Sequence, residues 1–183
     1  MKIHYPAFLL LLNIVLACSP ASDAGNKSDT ATAVNEEAET VAIMAVIEKE
    51  TDCFFRADLE CWSQQWVHEP YVMQAWNNDD GTYSATIGWD SIQAHAKAWF
   101  ATYYADGDSI IHPFVKREKP VVKFLNPQTA ILTYKQYNAD AQKKFFKASQ
   151  ESRLLEKRED GWKIIHMTAF WDSKNAIPVE QIQ

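Results

Sequence analysis

ESRLLEKRED followed by GWKIIHMTAFWD, Glu151 to Asp172, is the stretch whose reading decides the fold. Two extended runs meet at Asp160-Gly161, a dipeptide that readily takes the positive φ angles of a tight hairpin turn. With the corner at Asp160-Gly161 or Glu159-Asp160, plain alternation puts Glu151, Arg153, Leu155, His166, Thr168 and Phe170 on one face. The other face receives Leu154, Glu156, Ile165, Met167, Ala169 and Trp171. A wall that holds an Arg, a His, a Thr and a Glu is either the lining of a pocket or a solvated surface. That choice is the functional question.

Working outward, more strands precede the hairpin: Phe114 to Leu125, Thr129 to Tyr137 and Lys144 to Arg158. The first must bend near Glu118-Lys119-Pro120, because proline cannot donate to a central ladder. The charges Lys116-Arg117-Glu118-Lys119 read as a solvated strand edge. Further upstream, Val41, Met44, Ile47, Cys53, Phe54 and Phe55 recur at helical spacing from about Glu39 to Arg56. Asp58 caps a second helix to about Val67 carrying Leu59, Trp62 and Trp66, and Pro70 closes it. Strands Tyr71 to Trp76 and Thr82 to Ile87 flank a turn at residues 77–81. Ile92, Ala96, Trp99, Phe100 and Tyr103 stripe a third helix, Trp89 to Tyr104. Segregated helices followed by a run of strands imply an α+β domain, a curved antiparallel sheet wrapped around about three helices.

The 183 residues make one domain plus an extension, and 47% hydrophobic with 13% aromatic residues suffices for one core. A net charge of −6 with no basic run speaks against a nucleic-acid partner. Lys2 leads into an apolar run, Phe8 to Leu16, too short to span a bilayer as a helix. It ends in Val15-Leu16-Ala17-Cys18, which resembles the bacterial lipobox, with an ordinary secretory signal as the alternative. That resemblance implies a signal peptide over 1–17, a mature N-terminus at a lipidated Cys18, and a membrane anchor in the bacterial cell envelope facing the periplasm or the exterior. Residues 18–38 have almost no large apolar side chains and read as a disordered tether, leaving a folded domain over 39–176 and a C-terminal tail over 177–183. Cys53 and Cys61 lie about 12 Å apart on one unbroken helix, too far to bridge. A turn at Arg56-Ala57-Asp58 would allow a disulfide; two buried thiols are the commoner reading. No metal-binding His pair, glycine-rich phosphate loop or nucleophile elbow is present in the sequence, and no cofactor is expected.

The element order resembles the nuclear transport factor 2-like superfamily, specifically its SnoaL-like bacterial members, over roughly Glu39 to Asp172. The residues that carry it are the Arg56-Ala57-Asp58 corner, Trp66 before the first strand, Gly88 opening the third helix, and Asp160-Gly161-Trp162-Lys163-Ile164-Ile165-His166. The resemblance implies a cone-shaped, cystatin-like sheet with a pocket inside, hosting many functions. In the ketosteroid isomerase branch an Asp on the first strand is the general base; counting from Asp58, its position here is Gln74, which cannot take up a proton. The Tyr that branch uses on the first helix falls at Glu50. An epoxide-hydrolase Asp-Arg-Asp set is not evident either, since Arg153 has only Glu151 on its own strand.

Arg153 offers a donor fork for an anionic or polar group, or else pairs with Glu151 on an outer face. His166 is a general base, a ligand-orienting donor, or a satisfied core histidine. Trp62, Trp66 and Trp99 fall on core stripes; Trp76 and Trp171, near strand ends, suit a pocket mouth; His95 reads as surface. His68 and Glu69 lie in a loop with no partner evident in the sequence. Tyr134 and Gln136 share a strand face. The expectation is a domain binding a small, mostly apolar molecule, with Gln74, Trp76, Tyr134, Arg153, His166, Thr168 and Trp171 as ligand contacts. The alternatives are a lyase or isomerase using His166 and Arg153, and a homodimeric protein-interaction module.

Overall fold

The computed structural model describes residues 35–104 and 112–182; the apolar leader, Cys18 and the expected tether up to residue 34 lie outside them. Helix α1 (Glu36–Phe55) starts earlier than the expected Glu39, because the Asn35 side chain accepts a hydrogen bond from the Ala38 N–H and caps it. Its inward residues are Ile43, Ile47, Glu50, Thr51 and Cys53, while Val41 is exposed. The helix ends where Ala57 takes a positive φ of 56° and the Asp58 N–H bonds back to the Cys53 carbonyl. Asp58 Oδ1 then accepts from the Cys61 N–H and starts α2 (Leu59–Ser63), a single short turn rather than a helix to Val67. This reversal brings the Cα atoms of Cys53 and Cys61 to 5.7 Å, and the two form a disulfide instead of remaining buried thiols.

Strands β1 (Met73–Asn77) and β2 (Tyr83–Ile87) form a hairpin, and α3 (Trp89–Tyr103) follows from Gly88, whose φ of 86° suits a residue without a Cβ. Strands β3 (Val115–Arg117) and β4 (Val121–Asn126) are the two halves of the strand expected to bend at Pro120, and both pair with β5 (Thr129–Ala139). The long strands β6 (Phe145–Arg158) and β7 (Gly161–Pro178) complete a seven-stranded sheet in the order β2-β1-β7-β6-β5-β3. All neighbours are antiparallel except β1 and β7, which run parallel, so the sheet is mixed. The expected tail begins as the end of β7, and Ile177, Val179 and Ile182 pack with Tyr137, Ala139 and Phe146 in a second apolar cluster.

The hairpin departs from plain alternation at two places, one beyond Trp171, where Ser149 pairs with Trp171 but Lys147 with Ala176, and one that decides which residues face inward. Arg158 pairs with Gly161 across the Glu159-Asp160 corner, and Leu155 pairs with Ile164, as expected. The next pair is Leu154 with His166, so Ile165 is an extra residue, a β-bulge. A one-residue slip exchanges the faces of everything beyond it. Arg153 is therefore opposite Met167 and Glu151 opposite Ala169, while His166, Thr168 and Phe170 turn to the other side. The apolar pair Ile164-Ile165 accounts for the bulge: both are buried, at 0% and 8% exposure, which two plain alternating residues cannot be on a half-buried strand.

Candidate functional site

The concave face of the sheet and helices α1 and α3 enclose a cavity of about 760 Å³. Strand register arranges its sheet wall in rows. The deepest runs Gln74 (β1), Met167 (β7), Arg153 (β6), Leu132 (β5); the next runs Trp76, Ala169, Glu151, Tyr134; a third holds Trp171, Ser149 and Gln136. Polar groups and rings thus share rows, Glu151 with Trp76 and Ser149 and Gln136 with Trp171.

The floor holds three buried charges, Glu50, Glu151 and Arg153, with the half-buried Arg117 beneath them. Arg153 Nη1 donates to Glu151 Oε2 at 2.7 Å, with both side chains at 5% exposure or less. Ser149 donates to the other Glu151 oxygen. From the helix side, Trp62 Nε1 donates to Glu50 Oε1 at 2.9 Å, Thr51 Oγ1 donates to Glu50 Oε2 at 3.4 Å, and Arg117 Nη2 donates to Thr51 Oγ1 at 2.8 Å. Arg117, expected on a solvated edge, instead reaches under α1. The Tyr134 ring centroid lies 5.8 Å from the Arg117 guanidinium carbon and 5.9 Å from that of Arg153, a cation–π arrangement beneath the cavity. Burial pushes the Tyr134 phenol up to about 12, and its hydroxyl has no hydrogen-bond partner. Burial alone would lower the Arg153 pKa, but Tyr134, Glu151 and Glu50 more than offset it and the guanidinium stays charged.

Two carboxamides line the sheet wall, Gln74 in the first row and Gln136 in the third. Gln136 Nε2 donates to Asn138 Oδ1 at 2.7 Å, leaving its own Oε1 buried without a partner. Gln74, 5% exposed, makes no side-chain hydrogen bond among the described residues. The walls are aromatic: Phe54, Trp76, Trp99, Tyr103 and Trp171 line the cavity. Phe54 and Trp99 rings pack at 4.8 Å, and Trp76 meets His95 at 5.3 Å. His112 stacks on Trp171 at 5.7 Å and bonds the Ala139 carbonyl; burial, followed by Lys147, holds it below the ordinary histidine value.

Among the expected contacts, Gln74, Trp76, Arg153 and Trp171 line this cavity together. Tyr134 sits below it, within the core. His166 and Thr168 are on the opposite sheet face, where His166 Nε2 and Thr168 Oγ1 bond each other at 2.7 Å. The bulge at Ile165 is the physical reason, and it separates His166 from Arg153 as a catalytic pair. Burial first, then the Arg153 charge, lowers the His166 pKa. Trp99 and His95, assigned to core and surface, both face the cavity. His68, without an evident partner in the sequence, stacks on Trp89 at 4.0 Å. Glu50, Glu151 and Asn138 are lining residues that sequence reasoning did not place there; counting from Asp58 had flagged Glu50, and burial of α1 on its Ile43–Ile47–Glu50 side was the missing step. No group of three or more His, Cys, Asp or Glu able to hold a metal is found among the described residues.

No protein-family model matches the chain, and no curated protein matches it either. Solved structures do match. An NTF-2 like protein of unknown function from Shewanella oneidensis is 20% identical, with TM-score 0.56, covering 72% of this chain and 98% of that one. An NTF2-like protein with a cystatin-like fold from Novosphingobium aromaticivorans is 15% identical, with TM-score 0.56, covering 81% and 91%. A ketosteroid isomerase-like protein from Erwinia carotovora atroseptica is 18% identical, with TM-score 0.52, covering 74% and 97%. At such identities the likeness is one of fold, and this chain has the cystatin-like, nuclear transport factor 2-like fold, an α+β domain in which a curved mixed sheet wraps three helices.

Proposed function

We propose that the chain is an exported domain, anchored through a lipidated Cys18, that binds a small, mostly apolar molecule in its conical cavity. The carrying observation is Gln74: a carboxamide only 5% exposed that makes no side-chain hydrogen bond and opens on a ring-lined cavity of a size suited to a small ligand. An amide that opens on the cavity without a protein partner can bond the polar group of a ligand through both its donor and its acceptor. The position that would supply a base is an amide, and His166 is on the far face, so binding fits this cavity better than proton transfer by these groups.

Nile red, an uncharged apolar dye, tests the reading by fluorescence titration. Saturable one-to-one binding, weakened about tenfold or more by Trp171→Ala or Trp76→Ala, supports it. Absence of saturable binding, or binding indifferent to both substitutions, sinks it. The anchor has its own test: labelled palmitate should enter the wild-type protein and not Cys18→Ser, and only the wild type should fractionate with membranes of the bacterial envelope.

A second reading, homodimerisation, is favoured by the convex sheet face. Across β2, β1, β7 and β6 the rows Ile87–Met73–His166–Leu154 and Ala85–Ala75–Thr168–Ser152 contain no Asp, Glu, Lys or Arg. Tyr83, Ile87 and Phe170 are 80%, 65% and 63% exposed. A broad, uncharged sheet face of this kind suits a second copy of itself. Sedimentation should show a dimer that Phe170→Lys dissociates; a wild-type monomer at all accessible concentrations removes this reading.

A further inference from the structure

We infer that the cavity selects a ligand whose polar head is uncharged and carries a hydrogen-bond donor beside an acceptor, as a carboxamide, lactam or hydroxyketone does. The inference rests on the cavity-binding reading and narrows it to a ligand class.

The floor is charge-balanced before any ligand arrives. Two carboxylates, Glu50 and Glu151, stand with two guanidiniums, Arg117 and Arg153. Each is engaged internally, Glu151 with Arg153 and Ser149, and Glu50 with Trp62 and, through Thr51, with Arg117. Adding an anionic head to Arg153 would set it against Glu151, which already occupies Nη1 at 2.7 Å. Adding a cation to Glu50 or Glu151 would set it against the two guanidiniums. Either way a partly desolvated charge enters without a counter-charge of its own, which is costly on a buried floor.

The groups that lack partners are those that would read a neutral head. Arg153 Nε is a buried donor with no acceptor, whereas the unpartnered Gln136 Oε1 lies two rows away, beyond the reach of the same head. Gln74 brings an amide with both donor and acceptor, also unengaged, in the same sheet row as Arg153 with only Met167 between them. A head offering one donor and one acceptor, with no net charge, answers this set. The aromatic wall above, Trp76, Trp99 and Trp171 among others, takes the apolar body.

Three probes sharing one body decide it: naphthalene-1-acetamide, naphthalene-1-acetate and 2-(1-naphthyl)ethylammonium, titrated at neutral pH by calorimetry and by tryptophan fluorescence. The amide should bind at least about tenfold more tightly than either ion. Gln74→Leu, and Gln74→Met as a second variant, should reduce that preference to about threefold or less, with folding of each variant checked by its urea midpoint. Tightest binding of the acetate would mean that Arg153 is a free anion receptor, and tightest binding of the ammonium that the carboxylates govern; each overturns the inference. If Nile red binds but the three probes do not differ, or none binds, the cavity-binding reading stands and the head-group inference falls. If neither Nile red nor any probe binds, both fall together.

Discussion

Arg153 faces Met167 across the pairing of β6 with β7, while its expected neighbour His166 faces Leu154 on the opposite side of the sheet. One bulged residue, Ile165, divides the hairpin into a lower part with plain alternation and an upper part of reversed phase. The consequence is chemical as well as geometric. A pocket with Arg153 and His166 side by side would set a base beside that cation; Arg153 instead has Glu151 as its ion-pair partner and shares the cavity lining with Glu50 and Gln74.

That separation makes His166→Ala an informative substitution. Nile red affinity should stay within about twofold of wild type, because the imidazole contacts nothing inside the cavity, while Met167→Ala on the inner face should weaken it by several-fold. A tenfold loss on His166→Ala would show that the face assignment is wrong. Phe170, exposed on the same outer face, provides a matched control.

The buried Arg153–Glu151 pair carries a stability signature. Removing one partner leaves a desolvated charge, so Glu151→Leu or Arg153→Met alone should cost about 3–5 kcal/mol in urea unfolding. Replacing both together should recover most of that loss, because the double variant buries no unpaired charge at these two sites. Additive losses in the double variant would mean the two side chains do not act as a pair.

The fold was legible because its signals are local: Asp160-Gly161 for the corner, Asp58 for a cap, Pro120 for the bend, and period-2 and period-3.6 stripes between them. The parallel pairing of β1 with β7 was not, since strand direction between distant segments leaves no local trace. Four of the expected contacts, Gln74, Trp76, Arg153 and Trp171, share the cavity because alternation held within each strand segment. His166 and Thr168 were misplaced by the bulge, whose only trace in the sequence is two adjacent isoleucines in an otherwise alternating run. Arg117 was misplaced for a different reason: a run of charged residues reads as solvated, and only packing under α1 shows that one member is drawn inward to Thr51.

The Cys53–Cys61 bridge closes the reversal that presents Trp62 to Glu50. With a separation of only 8 residues, the chain-entropy estimate gives about 2–3 kcal/mol, at the low end for disulfides. Cys53→Ser with Cys61→Ser should lower the urea-unfolding free energy by that amount. Native protein should resist iodoacetamide at both positions until reduced; alkylation without reductant would exclude the bridge.

Two histidines set the acid limb of stability. Burial lowers His112, with Lys147 adding to it, and burial followed by Arg153 lowers His166, both from an ordinary 6.5. The folded state therefore binds fewer protons than the unfolded chain just below that value, and unfolding free energy rises with pH through this window. The stabilisation is fully present above about pH 6.5 and is lost as pH falls through the folded values of the two groups. The urea midpoint should drop between about pH 7 and pH 5, before the carboxylates of Asp80 and Asp172, lowered from 3.8, begin to take up protons. His112→Gln with His166→Gln should flatten the profile over that interval, and each single variant should flatten part of it. A wild-type midpoint that does not move between those values would mean that neither imidazole is held neutral by the fold.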